Sequence, residues 1–109
     1  MSPKSFLGEF EQMVLLAVLQ RGDDAFALEV RHELEERAGR SVSRGAFYTT
    51  LDRLEQKGLV EWSEEEAGPR RTGPLRRFEV TPEGIEALRA SRRALETLWR
   101  GLDVLAEEA

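Results

Sequence analysis

The chain has 109 residues, 40% of them hydrophobic, a formal net charge of -5 and no cysteine, enough for one modest core. The lack of cysteine excludes disulfides, thiolate metal sites and cysteine nucleophiles together. No apolar run reaches membrane-spanning length, and the start from Met1 to Phe6 has no basic-then-apolar leader, so a cytoplasmic protein with no membrane partner is expected.

The opening segment places Leu7, Phe10, Val14, Ala17 and Val18 on one helical face, widened by Leu15, Leu16 and Leu19 and stopped at Gly22. This helix is expected to be mostly buried. Asp23 or Asp24 is expected to cap a second helix, in which Val30, Leu34 and Ala38 line one side, Glu29, Arg31, Glu33, Glu35 and Glu36 the rest, and Gly39 the end. Only about four residues separate Gly39 from Ser43, a connection short enough for a helix-turn-helix.

The stretch from Ser43 to Trp62 then reads as an amphipathic helix, a glycine stop and a strand. Ser43 can accept a first-turn amide, and Gly58 supplies the left-handed residue that commonly ends a helix. Phe47, Leu51 and Leu54 share one apolar face, while Gly45, Thr49, Asp52 and Gln56 fall opposite. Arg44 and Tyr48 flank the polar face on one side and Arg53 on the other, a mix suited to phosphates, base edges and thymine methyls. An ordinary solvated helix fits the same pattern.

After Gly58, Val60 and Trp62 alternate with Glu61 and Ser63, and a second run carries Phe78 and Val80 inward, so a hairpin is expected. Its tip holds two glycines, two prolines, Arg70 and Arg71, and reads as a projecting basic wing or as a plain charged loop. The negative charge favours the chain's ends, whereas Arg40, Arg44, Arg53, Lys57, Arg70, Arg71, Arg76 and Arg77 lie in the middle. A basic middle between acidic ends would offer nucleic acid one surface only.

Thr81, Pro82 and Glu83 make a strong helix start. A helix of about 25 residues, roughly 37 Å long, is expected to follow, with Ile85, Leu88, Leu95, Trp99, Leu102 and Ala106 close to a heptad, Leu98 and Leu105 beside them, and Arg92 interrupting the seam. Such a stripe needs a partner: a second copy of the chain, or Phe10 and Val14 of the same one. The expected fold is mainly α with a small β-hairpin, a winged helix-turn-helix over residues 1–81 and a long C-terminal dimerisation helix over 82–109.

Chemistry finds little support. His32 is the sole histidine, so neither a metal site nor a histidine triad can assemble. Acid pairs such as Glu33 with Glu36, or Glu61 with Glu64 to Glu66, fall on expected solvated faces. The glycines at 68 and 73 lack the lysine-serine or lysine-threonine ending of a phosphate loop. No enzyme activity, cofactor or metal is expected.

The runs LGEFEQMVLLAVL, AFALEVRHELEERAGRSVSRGAFYTTLDRLEQKGLVE and LRRFEVTPEGIEAL, covering roughly Leu7 to Leu88, resemble the PadR family of bacterial transcriptional regulators. The most specific part is S-x-G-x-x-Y-x-x-L-x-R-L-E-x-x-G-L-V followed by R-x-F-x-V-T-P-x-G. The resemblance implies a winged-helix homodimer that represses transcription at a double-stranded DNA operator, and some members release DNA when a small aromatic or drug-like effector binds. It assigns Ser43, Arg44, Gly45, Tyr48 and Thr49 to the start of the recognition helix, and Arg76 and Arg77 to the entry of the second wing strand. Thr49 stands where the family often has proline, and Arg77-Phe78 where it has a double aromatic, so the operator sequence does not carry over. The chain is similar to compact members with one helix after the wing, where Trp99 falls near a ligand-stacking tryptophan.

A DNA-binding repressor is therefore expected to use Ser43, Arg44, Gly45, Tyr48, Thr49, Arg53, Arg70, Arg71, Arg76 and Arg77. The alternative is a winged-helix protein-interaction module without DNA binding. Leu95, Trp99 and Leu102 form either a ligand slot between two chains or plain dimer core.

Overall fold

The computed structural model describes residues 7–65 and 75–102. Among the described residues, four α-helices, α1 (Glu9–Arg21), α2 (Ala27–Ala38), α3 (Arg44–Gln56) and α4 (Pro82–Trp99), pack with a hairpin of β1 (Val60–Glu65) and β2 (Leu75–Val80) inserted in the chain between α3 and α4. Val14, Leu15, Val30, Leu34, Phe47, Leu51, Leu54, Val60, Phe78 and Leu88 make one core. The core draws on every helix and both strands, so the helix-turn-helix, the hairpin and the first half of α4 pack as one body.

Local signals explain most of the boundaries. The Glu11 carboxylate accepts the Gly8 amide at 2.9 Å at the start of α1, and the Ser43 hydroxyl accepts the Ala46 amide at 3.1 Å at the start of α3. At the end of α3 the Gly58 amide donates to Glu55 O and the Leu59 amide to Leu54 O, both at 2.9 Å. This Schellman closure requires a left-handed residue, and Gly58 supplies it at φ +76°. Arg31 Nη2 donates to Val42 O at 3.2 Å, tying α2 to the turn that leads into α3.

The expected aspartate cap on α2 is absent. Asp23 and Asp24 lie in a single 3-10 turn, and α2 starts after an extended Phe26 with no side-chain cap. The cause is tertiary. Phe26 forms a β-bridge with Arg77, and the Phe78 amide donates to Ala25 O at 2.9 Å, so this stretch is held as extended chain against β2.

The antiparallel hairpin pairs Val60 with Val80, Trp62 with Phe78 and Glu64 with Arg76. Val60 and Phe78 are buried and Trp62 half-buried, as the alternation predicts. The hairpin tip with Arg70 and Arg71 lies outside the described residues.

Helix α4 starts as expected: the Thr81 hydroxyl accepts the Gly84 amide at 3.0 Å, with Pro82 in the first turn. Its length is corrected. It has 18 residues and ends at Trp99, with Arg100 extended and Gly101 at φ +81°. The Arg100-Gly101 break interrupts the apolar repeat, so Leu102 follows a turn instead of continuing the seam, and Leu105 and Ala106 lie outside the described residues. Only Gly84, Leu88 and Ser91 of α4 are buried, whereas Leu95, Leu98 and Trp99 are 50%, 72% and 49% exposed.

A second correction concerns α1, where Leu16 and Leu19, expected inside, are 48% and 44% exposed. They border an apolar groove of about 570 Å³ shared with Ile85, Leu88, Leu95 and Trp99 of α4. Among the described residues no helix is long and apolar enough to cross a membrane.

Candidate nucleic-acid interface

The apolar side of α3 is buried through Phe47, Leu51 and Leu54, and this orients the rest of the helix. Ser43, Arg44, Gly45, Thr49 and Arg53 are exposed. Tyr48 is half-buried, its ring set edge-on to Phe47 at 5.5 Å between centroids. A β-carbon at Gly45 would meet nothing within 4 Å, so its lack of a side chain answers no packing need of the fold.

Arg44 and Tyr48 open onto a cleft of about 480 Å³ between the starts of α2 and α3 and strand β2. Phe26, Leu28, Leu75 and Phe78 form its apolar walls, and Arg31, Arg44 and Arg76 supply cations, with Glu29 the one acid among the lining residues. Arg44 is the first residue of α3, at the positive end of the helix dipole, so the two fields add for an anion there. Arg31 and Leu28 escape the sequence reading, which puts Arg31 among the solvated residues of α2; its bond to Val42 O is a tertiary feature with no local signature.

The remaining candidates separate. Arg53 stands on the other flank of α3, where its charge acts on Glu11. Arg76 and Arg77 are neighbours in sequence with different surroundings. The Arg76 guanidinium lies 4.2 Å from the centre of the Trp62 ring. Arg77 Nε lies 2.6 Å from Glu65 Oε2, and its Nη1 stands 4.0 Å from Asp23 Oδ1. Glu65 and then Asp23 raise the Arg77 pKa above its ordinary value, and the short Glu65 contact pairs its guanidinium within the chain. Among the described residues no group of three or more His, Cys, Asp and Glu side chains could hold a metal ion.

A buried helix-turn-helix core, an antiparallel hairpin after the third helix and an exposed polar face on that helix define a winged helix-turn-helix protein. The model of the transcriptional regulator PadR-like family matches residues 15–90, and the chain belongs to that family. No curated protein sequence matches the chain significantly. Among solved structures, it is similar to a PadR-like transcription factor from Bacteroides fragilis (21% identity, 88% of each chain covered, TM-score 0.71). It is also similar to a PadR-like regulator from Bacillus cereus (18% identity, 92% of this chain and 93% of that one, TM-score 0.71). RosR of H. salinarum shares 26% identity over 87% of this chain and 79% of that one, with a TM-score of 0.67. The family is one of transcriptional regulators rather than enzymes.

Proposed function

We propose that the protein is a sequence-specific repressor that sits as a homodimer on a double-stranded operator, with α3 in the major groove and the hairpin beside the backbone. The observation that carries this reading is the grouping of Arg44, Tyr48 and Arg76 around one open cleft, at the exposed start of a helix whose other side is core. Ser43, Gly45 and Thr49 complete the face, and Arg53 meets the backbone on its far flank. The net charge of -5 opposes non-specific attraction to DNA, so affinity has to come from this surface.

The second copy is supported by the apolar groove between α1 and α4. Leu16, Leu19, Leu95 and Trp99 line it, and each of them, like Leu98 on the same helix, is exposed in the single chain. Two such faces meeting about a twofold axis would bury it. A small aromatic effector would enter the same seam against Leu95 and Trp99, with Leu102 just past the helix end. Quenching of tryptophan emission by flat aromatic cations, lost in Trp99→Phe and kept in Trp62→Phe, tests that site; equal loss in both variants counts against it.

Fluorescence anisotropy with a duplex from the gene's own upstream region tests the main reading. Tight, sequence-specific binding that weakens steeply with salt is expected. No binding at low salt would make the winged helix a protein-interaction module instead.

A further inference from the structure

Of the two adjacent arginines on β2, one is spent and the other is aimed. Arg77 is paired with Glu65. Arg76 is exposed, and among the described residues it makes no ion pair; its partner is the indole of Trp62, 4.2 Å away. That indole is itself held. Its Nε1–H donates to Glu55 Oε2 at 3.0 Å, a bond that crosses from β1 to α3. Glu55, Trp62 and Arg76 thus link the recognition helix to both strands, ending at the cleft that Arg44 and Tyr48 share.

A free arginine on a strand edge loses much rotamer freedom when it grips a phosphate. A guanidinium lying over an indole is held by the negative face of the ring, while its N–H donors stay available at its edge. We propose that Trp62 is a positioning residue: held by Glu55, it presets Arg76 as the fixed cation that receives a backbone phosphate at the tip end of the paired strands. This rests on the DNA-binding reading above. It gives Trp62 a role that hydrophobic packing alone would not require, because packing needs neither the carboxylate on Nε1 nor a cation on the ring.

A double-mutant cycle on duplex affinity, with thermal denaturation as a folding control, tests the proposal. Trp62→Leu and Arg76→Ala should each weaken binding about three- to tenfold, the range of a stacked cation plus one ordered side chain. The double variant should lose no more than Arg76→Ala alone. Glu55→Ala, an exposed change that spares the core, should cause a smaller loss that Glu55→Gln largely restores. Without DNA, proton NMR should show the Arg76 δ-methylene shifted upfield by the indole ring, and Glu55→Ala should reduce that shift. Losses that simply add, or Arg76 protons at ordinary positions, would overturn the positioning role. Ring-shifted Arg76 protons in a wild-type protein that binds no duplex would overturn the DNA reading, and the phosphate role with it.

Discussion

The Thr81 hydroxyl donates to the Gly58 carbonyl at 2.7 Å, so the residue that caps α4 is bonded to the residue that closes α3. The Thr81 amide adds a second bond, to Leu59 O at 3.0 Å. Thr81 also caps α4 through the Gly84 amide, so one side chain serves the end of α3, the proposed recognition helix, and the start of α4, the helix proposed to dimerise. This joint is the route by which a change in the tilt of α4 would reach α3, as the effector site proposed at Trp99 requires.

Gly84 makes this joint close. A β-carbon there would lie 2.2 Å from Leu59 O and 2.6 Å from Val80 Cγ1. Gly84→Ala should lower stability by about 2 to 3 kcal/mol in urea denaturation despite the better helix propensity of alanine. Little or no loss would show that α4 does not seat this tightly.

Gly45 is the opposite case. It is exposed in the first turn of α3, with open space where a β-carbon would go. Gly45→Ala should leave stability unchanged or raise it by about 0.5 to 1 kcal/mol. If the helix backbone approaches DNA closely here, the same variant should bind the operator more weakly. A gain in stability with undiminished affinity would remove Gly45 from the interface.

Arg44 and Arg77 should divide along the same line. Arg44→Ala should cost about 1 to 3 kcal/mol of operator affinity if it reads a base, or lower the salt slope by about one unit if it meets a phosphate, with little change in melting temperature. Arg77→Ala removes the partner of Glu65 and should affect the melting temperature more than DNA affinity. Measuring both variants by denaturation and anisotropy checks the contrast; a reversal would mean that the Glu65 pair opens on DNA.

The acid limit of stability should involve Glu11. Burial pushes its carboxyl upward, but the hydrogen bonds from Lys57 (2.8 Å) and the Gly8 amide, with the charges of Lys57 and Arg53, bring it below its ordinary 4.5. A carboxyl lowered in the folded state contributes stability that is fully present above the unfolded value and is lost as pH falls through the folded one. The melting temperature should therefore drop below about pH 4.5. Glu11→Gln should be less stable at neutral pH and show a flatter acid limb.

Much of this fold is legible in the sequence because its signals are local. Ser43, Gly58 and Thr81 act within a turn of where they stand, and Phe47, Leu51 and Leu54 repeat at helical spacing over a helix long enough to show the period. What escapes depends on distant partners. Asp23 and Asp24 look like caps until Ala25 and Phe26 are drawn against β2. Arg76 and Arg77 look alike until the register sets one over Trp62 and the other beside Glu65. Leu16 and Leu19 belong to a helix with more apolar residues than one face of a single small domain can cover. Gly101 is the local mark of the early end of α4, but the apolar repeat running past it conceals the break.

Hydroxyl-radical footprinting of the protein on its own upstream duplex tests the central claim most directly. Two protected patches related by a twofold axis and about one helical turn apart, roughly 34 Å, are expected, both weakened in Arg44→Ala. A single unpaired patch, or a footprint untouched by that change, would contradict a paired recognition helix led by Arg44 and Tyr48.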